Sequence, residues 1–485
     1  MTALAPPLDP DAARLEELGY RQELARGLRF FDNAAMGFAA ISPVVGLYAV
    51  VFVGTVVAGP AWVWVLPIAL AGQCLLLAVY AELASEFPIA GGAYQWSRRL
   101  MGGVYGWVSG WVAICAYAVA NTTIAYLGAP WALTLVGITP TPNAVVLTGV
   151  ILVLTCATVG AVGIDVLGRV IKAGIAAEAV ASVGIGLTLL LAFRTQDVSI
   201  FTHTLGAEAL SGGSVGAGLL AALAVGGWVF IGFDACVGAS EETKGAARHV
   251  PRAIWVALLS VGVIVILNAF AATLAHPNPA DIVAGRDIDP VATAVVTSFG
   301  SWSSKPFAAV VLVAFLACGM AAQALTARTI YSIARDGVLP ASRFLRSVDR
   351  RQAPIGAIAV TTAVACLALL LGLRSAAVGS LIAFGTAAIY VAFLLVALAA
   401  LIARVRGTWV PAGQVQLGRA GVVINSLAVV WLAFETVNIA WPRRSLAPPG
   451  APAYQVWAAP IVLALIAAVG LSYLAIARPH RKLAS

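Results

Sequence analysis

Nearly the whole chain is built from apolar stretches of roughly twenty residues, each long enough to cross the hydrocarbon of a bilayer as a helix. About twelve can be read, near 32–58, 62–84, 104–128, 144–164, 171–193, 214–240, 252–275, 305–334, 355–373, 377–403, 420–441 and 454–477. Lipid offers no hydrogen bonds, so such segments must satisfy their own backbones as helices. The expected fold is therefore an all-α polytopic membrane protein. Only 10% of the residues are charged, against about 25% in soluble domains. The longest loops, around 195–213, 276–304 and 335–353, are too short to form a separate domain.

The net charge of +8 raises the question of nucleic acid, but its distribution argues for membrane orientation instead. With a cytoplasmic N-terminus, roughly 22 of the 29 Lys and Arg fall inside and about 6 outside, with Arg328 within a span. Inside lie Arg98, Arg99, Arg169, Lys172, Lys244, Arg248, Arg252, the run Arg335 to Arg351 and the tail Arg478, Arg481 and Lys482. Both termini are thus expected in the cytoplasm, with the chain in the cell membrane. The six cysteines (Cys74, Cys115, Cys156, Cys236, Cys318, Cys366) sit in apolar segments without metal-ligand spacing, so neither a disulfide framework nor a metal site is expected. The first 29 residues are polar and charged, unlike a cleavable leader. Residues 1–10 read as a Pro-rich disordered start. Asp11 can cap a short helix to about Arg26, with Leu15, Leu18 and Leu24 on one face along the membrane surface.

Two spans are broken. The first is interrupted at Ile41-Ser42-Pro43-Val44-Val45-Gly46, where Pro43 cannot continue a helical ladder. The sixth is interrupted at Gly232-Phe233-Asp234. Irregular backbone at membrane depth survives only where protein or a watery cavity surrounds it. If spans one to five and six to ten are repeats, five spans each gives them opposite orientation, and the breaks correspond. Paired breaks of this kind point to the binding site of a secondary transporter. The first break can present the amides of Val44, Val45 and Gly46 to a carboxylate. The second can present the carbonyls of Phe230 and Ile231 to an ammonium. Trp228, Phe230 and Phe233 offer an aromatic wall, with simple packing as the alternative. Asn121, Gln323 and Thr386 are polar candidates from other spans by depth, with Tyr117 and Phe384 as walls. Two carboxylates at bilayer depth, Asp234 and Glu178, call for explanation. Either can carry a coupling proton; for Glu178 the structural alternative is a partner such as Gln323 or Asn268.

Several blocks resemble the amino acid/choline-type permeases of the amino acid–polyamine–organocation superfamily. They are the segment from Glu17 to Ser42, A-E-L-A-S-E-F-P-I-A-G-G-A-Y-Q-W from Ala81 to Trp96, G-F-D-A-C-V-G-A-S-E-E-T from Gly232 to Thr243 with P-R-A-I at Pro251, and A-R-D-G-V-L-P from Ala334 to Pro340. The resemblance covers about residues 17–410. It implies a LeuT-type fold: a tail at 1–29, a core at 30–403 made of inverted repeats about 30–193 and 214–403 with helices 1 and 6 discontinuous, two accessory helices at 404–477, and a tail at 478–485. It implies secondary active transport of amino acids. Amines or quaternary ammonium compounds such as choline, ethanolamine, GABA or a polyamine are the alternative substrates, and a transporter-like nutrient sensor is the alternative class. Pro88, Gly91 and Gly92 would shape the turn after span two, with Tyr94 and Trp96 anchoring it. Glu241 and Glu242 could pair with Arg248, Arg252 or the loop after span eight, and Arg335 and Asp336 could form an inner gate.

Two departures stand out. Pro43 occupies the first break, where relatives are expected to carry a small or apolar non-proline residue. Glu178 lies near where some relatives place a lysine. A sodium site in this fold would need hydroxyls in mid-span eight, where the chain reads Leu316-Ala317-Cys318-Gly319-Met320-Ala321. Protons or exchange are expected rather than sodium. The four histidines lie in loops or tails, no strand precedes the Gly-rich run at 212–216, and no repeated filter is visible. No enzyme activity, cofactor or channel pore is expected.

Overall fold

The structure is a computed structural model describing residues 10–373, 378–447 and 450–483, with the side chains of Pro10, Val180, 378–384 and Leu483 outside the description. Twenty α-helices follow in chain order: α1 (Pro10–Glu17), α2 (Phe30–Ile41), α3 (Pro43–Ala58), α4 (Val65–Glu86), α5 (Gly92–Met101), α6 (Gly103–Leu135), α7 (Pro142–Val162), α8 (Ile164–Ala192), α9 (Val215–Gly226), α10 (Ala235–Gly238), α11 (Ala246–Ala275), α12 (Pro279–Val283), α13 (Pro290–Phe299), α14 (Ser304–Arg335), α15 (Ser342–Leu345), α16 (Ile355–Leu369), α17 (Val378–Val405), α18 (Gly421–Ala440), α19 (Ala453–Val456) and α20 (Ala458–Ala477). Eleven stretches among the described residues are long and apolar enough to cross a membrane. The first, Phe30–Glu86, holds 57 residues and turns through a 3₁₀ segment at Gly59–Trp64, so it crosses twice. The protein is a multi-pass membrane protein of the expected all-helical class.

Helix starts follow local chemistry. Thr141 and Ser214 accept the amides of Ala144 and Ala217, and Pro142 occupies a first-turn position where its missing N–H is not needed. The buried centre joins α2, α3, α4, α6, α9, α11, α14 and α17 in one apolar cluster. Within it Tyr80, Phe233 and Phe393 pack edge-on or stacked with centroids 5.3–5.6 Å apart.

The N-terminal segment departs from the expected surface helix. Helix α1 ends at Glu17, and the chain turns at Leu18-Gly19 and runs as an irregular strap across the bundle. Leu15, Leu24 and Leu28 are buried. Leu28 N donates to Glu242 O and Lys244 N to Leu28 O, each at 2.9 Å, and Gln22 Nε2 donates to Glu241 O at 3.0 Å. These partners lie more than 200 residues away, so no local periodicity encodes them. Residues 1–9 of the expected disordered start, and 484–485 of the tail, lie outside the description.

The block Ala81–Pro88 has a second use. Glu82 pairs with Arg404 and accepts Leu417 N at 2.9 Å. Glu86 Oε2 accepts Ala412 N at 2.6 Å and Gly413 N at 2.7 Å, and Ser85 Oγ accepts Val415 N at 3.2 Å. Its polar residues thus hold the loop that leads into α18.

Candidate functional site

The two interrupted spans meet at their breaks. Between α2 and α3, Ser42 adopts φ +48°, a conformation L residues rarely take. Its side chain explains why the strain persists: Oγ donates to Glu178 Oε1 at 2.6 Å and accepts Val45 N at 3.2 Å. Pro43 is the first residue of α3, where no amide is missed. Val44 N then donates to Glu178 Oε1 at 3.0 Å, and Gly46 N to Ser42 O at 3.0 Å. In the other span, α9 tightens at Gly227–Phe230, extends at Ile231 and resumes at α10.

Gly232 is the hinge point. It has φ +110°, and a Cβ there would lie 2.6 Å from Ala40 O and 3.0 Å from Ile41 N. A Cβ on Gly46 would likewise meet Val229 at 3.2 Å. The backbones of the two breaks therefore touch. Gly232→Ala is expected to lose substrate binding, because strain of roughly 1–3 kcal/mol adds to a backbone clash. Uptake together with thermal stability in detergent measures this; a variant with normal uptake and normal melting would remove the close approach from the argument.

A cavity lies against the meeting point. Ile41, Val45, Trp228, Ile231, Gly232 and Asp234 line it from the breaks, Tyr117, Ala120 and Ile124 from α6, Cys318, Ala322 and Leu325 from α14, and Ile389 from α17. It offers about 40 Å³ for the centres of water-sized molecules, enough for about two or three waters. The walls are apolar, and the polar element is Asp234, whose Oδ2 accepts the Tyr117 hydroxyl proton in a short hydrogen bond. Asp234 Oδ1 is buried without a partner.

Other candidates fall outside the cavity lining. Ser42 and Val44 serve Glu178, so the amides expected to bind a substrate carboxylate are already bonded within the protein. Gly46 packs on Val229. Phe230 and Phe233 are fully buried, Phe233 against Tyr80 and Phe393. Asn121 is buried on α6 with Nδ2 unpartnered. Gln323 donates to Thr362 Oγ1 at 2.9 Å, and Asn268 to Ile264 O at 2.8 Å, so neither partners Glu178. Thr386 is buried on α17, and the Phe384 side chain lies outside the described residues. Sequence reasoning missed Ala40, Ala120, Ile124, Cys318, Ala322, Leu325 and Ile389, small or aliphatic residues indistinguishable from packing.

Glu178 is buried on α8, on the other side of the first break. Its Oε2 has no partner. No Lys or Arg pairs with it among the described residues.

Toward the face carrying the N-terminal strap lie two buried ion pairs and a polar cluster. Glu241 binds Arg335 through both oxygens, at 2.5 and 2.9 Å, and also accepts Ala90 N at 3.1 Å. Glu242 binds Arg328 through both oxygens. Neither Arg248 nor Arg252 is the partner. Asp336 accepts from Arg98 at 2.5 Å, Tyr94 at 2.7 Å and Tyr20 at 2.9 Å, and Arg335 stacks over the Tyr20 ring at 3.8 Å. Burial pushes the Tyr20 phenol up, with the Asp336 carboxylate adding to it. Burial works against the Arg98 cation, but Asp336 together with Tyr20 and Tyr94 outweighs it and holds the guanidinium above its ordinary value.

Known proteins share this sequence along its length. The profile of the family described as "Amino acid permease" matches residues 28–480. The "Amino-acid permease BAT1 homolog" of Oryza sativa subsp. japonica is 28% identical over 90% of this chain and 88% of its own. "Amino-acid permease BAT1" of Arabidopsis thaliana is 27% identical over 97% and 95%. "Branched-chain amino acid permease BcaP" of Lactococcus lactis subsp. cremoris is 24% identical over 54% and 58%. With a broken-helix pair around a small buried cavity and a family match spanning nearly the whole sequence, this chain belongs to the amino acid permease family.

Proposed function

We propose that this permease carries a small amino acid across the cell membrane by alternating access, driven by protons or by exchange. The observation that carries the reading is the enclosed cavity at the contact of the two breaks, with one unpartnered carboxylate oxygen in otherwise apolar walls. Asp234 Oδ1 receives the substrate ammonium, and Ile41, Val45, Ile124 and Ile389 take an aliphatic side chain. The two halves, about 30–193 and 214–403, act as inverted repeats rocking about this contact. The strap face is cytoplasmic, in line with its concentration of Lys and Arg. Sodium is not the driving ion, since mid-span eight offers Cys318 rather than a hydroxyl pair. A second reading, an organic amine as substrate, draws on the first-break amides being bonded internally, which leaves no ready cradle for a carboxylate.

Uptake into proteoliposomes, oriented by protease protection of a tag at Met1, tests all of this. Labelled aliphatic amino acids are expected to accumulate under an inward proton gradient without sodium. Asp234→Asn is expected to weaken uptake at least about tenfold, the loss of one charge-assisted hydrogen bond in a buried site. Accumulation of amines alone would install the second reading. A dependence on sodium would refute the proton assignment, and binding without uptake of anything would refute transport.

A further inference from the structure

A second, open groove lies apart from the cavity at the two breaks. It lies at the face opposite the strap, between the N-terminal end of α9 and the C-terminal end of α18, and offers about 830 Å³ of largely open space. Its rim carries Arg443 and Arg444, and its walls carry Leu220, Phe434, Val437 and Trp441. Phe434, Val437 and Trp441, at the end of a helix apolar enough to cross a membrane, are 45%, 60% and 62% exposed.

The rim is built to favour an anion. Arg443 is held in place by the Asn438 side chain, donating NH2 to Oδ1 at 2.5 Å, and Asn438 Nδ2 in turn bonds Leu220 O at 3.1 Å. Glu435, the one carboxylate of α18, is buried and lies 3.4 Å from Asn438 Nδ2, and its charge acts in part on Arg443. Arg444 is exposed and has no ion pair among the described residues. Helix α9 begins here, with Ala217 in the lining, so its positive end adds to the field. Ser211 Oγ, also lining the cavity, is buried without a partner. The nearby acid, Glu208, lies on the preceding turn.

We infer that this groove is a binding site for one anionic phospholipid, its headgroup phosphate on Arg443 and Arg444 and an acyl chain along Val437, Phe434 and Leu220. From Trp441 to Phe434 is about 10 Å along the helix axis, the distance from an interfacial tryptophan into the upper acyl region. A soluble anion would leave those apolar walls without purpose. The inference needs only the membrane-spanning fold and does not rest on the transport reading.

Native mass spectrometry of the full chain tests it, after incubation with phosphatidylglycerol, phosphatidylcholine of the same chains, or glycerol phosphate. One phosphatidylglycerol per chain is expected to survive activation about tenfold better than phosphatidylcholine, from two arginines acting near the surface. Arg443→Gln with Arg444→Gln should erase that preference. Arg444→Gln alone, which removes no bond within the protein, should reduce it, and Ala217→Trp should lower retention of both lipids by filling the groove. Equal retention of the two lipids, an unchanged preference in the double variant, displacement by glycerol phosphate, or a lipid-free dimer that loses lipid access would each overturn the assignment.

Discussion

Replacing Glu178 by glutamine is expected to abolish concentrative uptake while leaving exchange of labelled for unlabelled substrate in place. The carboxylate holds the first break together through Oε1, which accepts Ser42 Oγ and Val44 N. A glutamine carbonyl can accept both bonds, so the break keeps its shape. What changes is Oε2, which is buried and bonded to nothing, and the ability to carry a proton. A carboxylate at membrane depth without a counter-ion is costly when charged. The neutral form is therefore the one suited to the closed state, and the charged form to a state that admits water. Loading on one side and release on the other would tie the proton to the movement of the break. One proton per substrate under a gradient of about one pH unit sustains roughly tenfold accumulation. The glutamine variant should settle near equal concentrations on both sides. Tenfold accumulation persisting in that variant would take Glu178 out of the coupling, and loss of exchange as well would make it a structural residue of the break.

The membrane-crossing pattern was legible because hydropathy is a property of each segment by itself. The breaks were legible for the same reason: Pro43 and Gly232 announce themselves locally, and the fold brings them into contact. What lay between segments was not legible. Glu178 stood out as a mid-span carboxylate, yet its partners are Ser42 and Val44 rather than Gln323 or Asn268, because which face of α8 meets the first break is decided by packing. The same contact occupies the amides of the expected cradle: the donors freed at a break are bonded by the protein's own groups. The apolar spacing of Leu15, Leu18 and Leu24 predicts a helix to about Arg26, whereas the order of the strap at 18–28 comes from residues near Glu241. The cavity walls on α14 and α17 carry no polar mark at all. The ionic residues at the strap face were recognised as pairing candidates, but Arg328, counted as an oddity within a span, proved to be the partner of Glu242.

Arg328→Met is expected to destabilise the protein by roughly 3–5 kcal/mol, the cost of leaving a buried carboxylate unpaired. The pair is 5% and 2% exposed and bidentate. It fastens α14 to the turn after α10 on which the strap also docks through Leu28 and Glu242 O. Both ions are already desolvated, so removing both together should cost far less than removing one. Arg328→Met with Glu242→Gln should thus recover most of the loss, and a double-mutant cycle on unfolding in detergent reads the coupling directly. The same magnitudes decide what moves during transport. Splitting this pair once per cycle would add several kcal/mol to the opening step. The Arg98–Asp336 contact is different: Arg98 is 29% and Asp336 9% exposed, so water can reach the cation once they part, and the contact costs less to split than the fully buried pair. The strap face should therefore open by parting Asp336 from Arg98 and Tyr20, with Arg328 and Glu242 moving as one body. Arg98→Gln should leave stability nearly unchanged while altering the rate of exchange, and Arg328→Met should do the reverse of the first of these. If Arg328→Met is as stable as the parent, the pair is not the fastening it is taken to be, and the division between rigid body and gate falls with it.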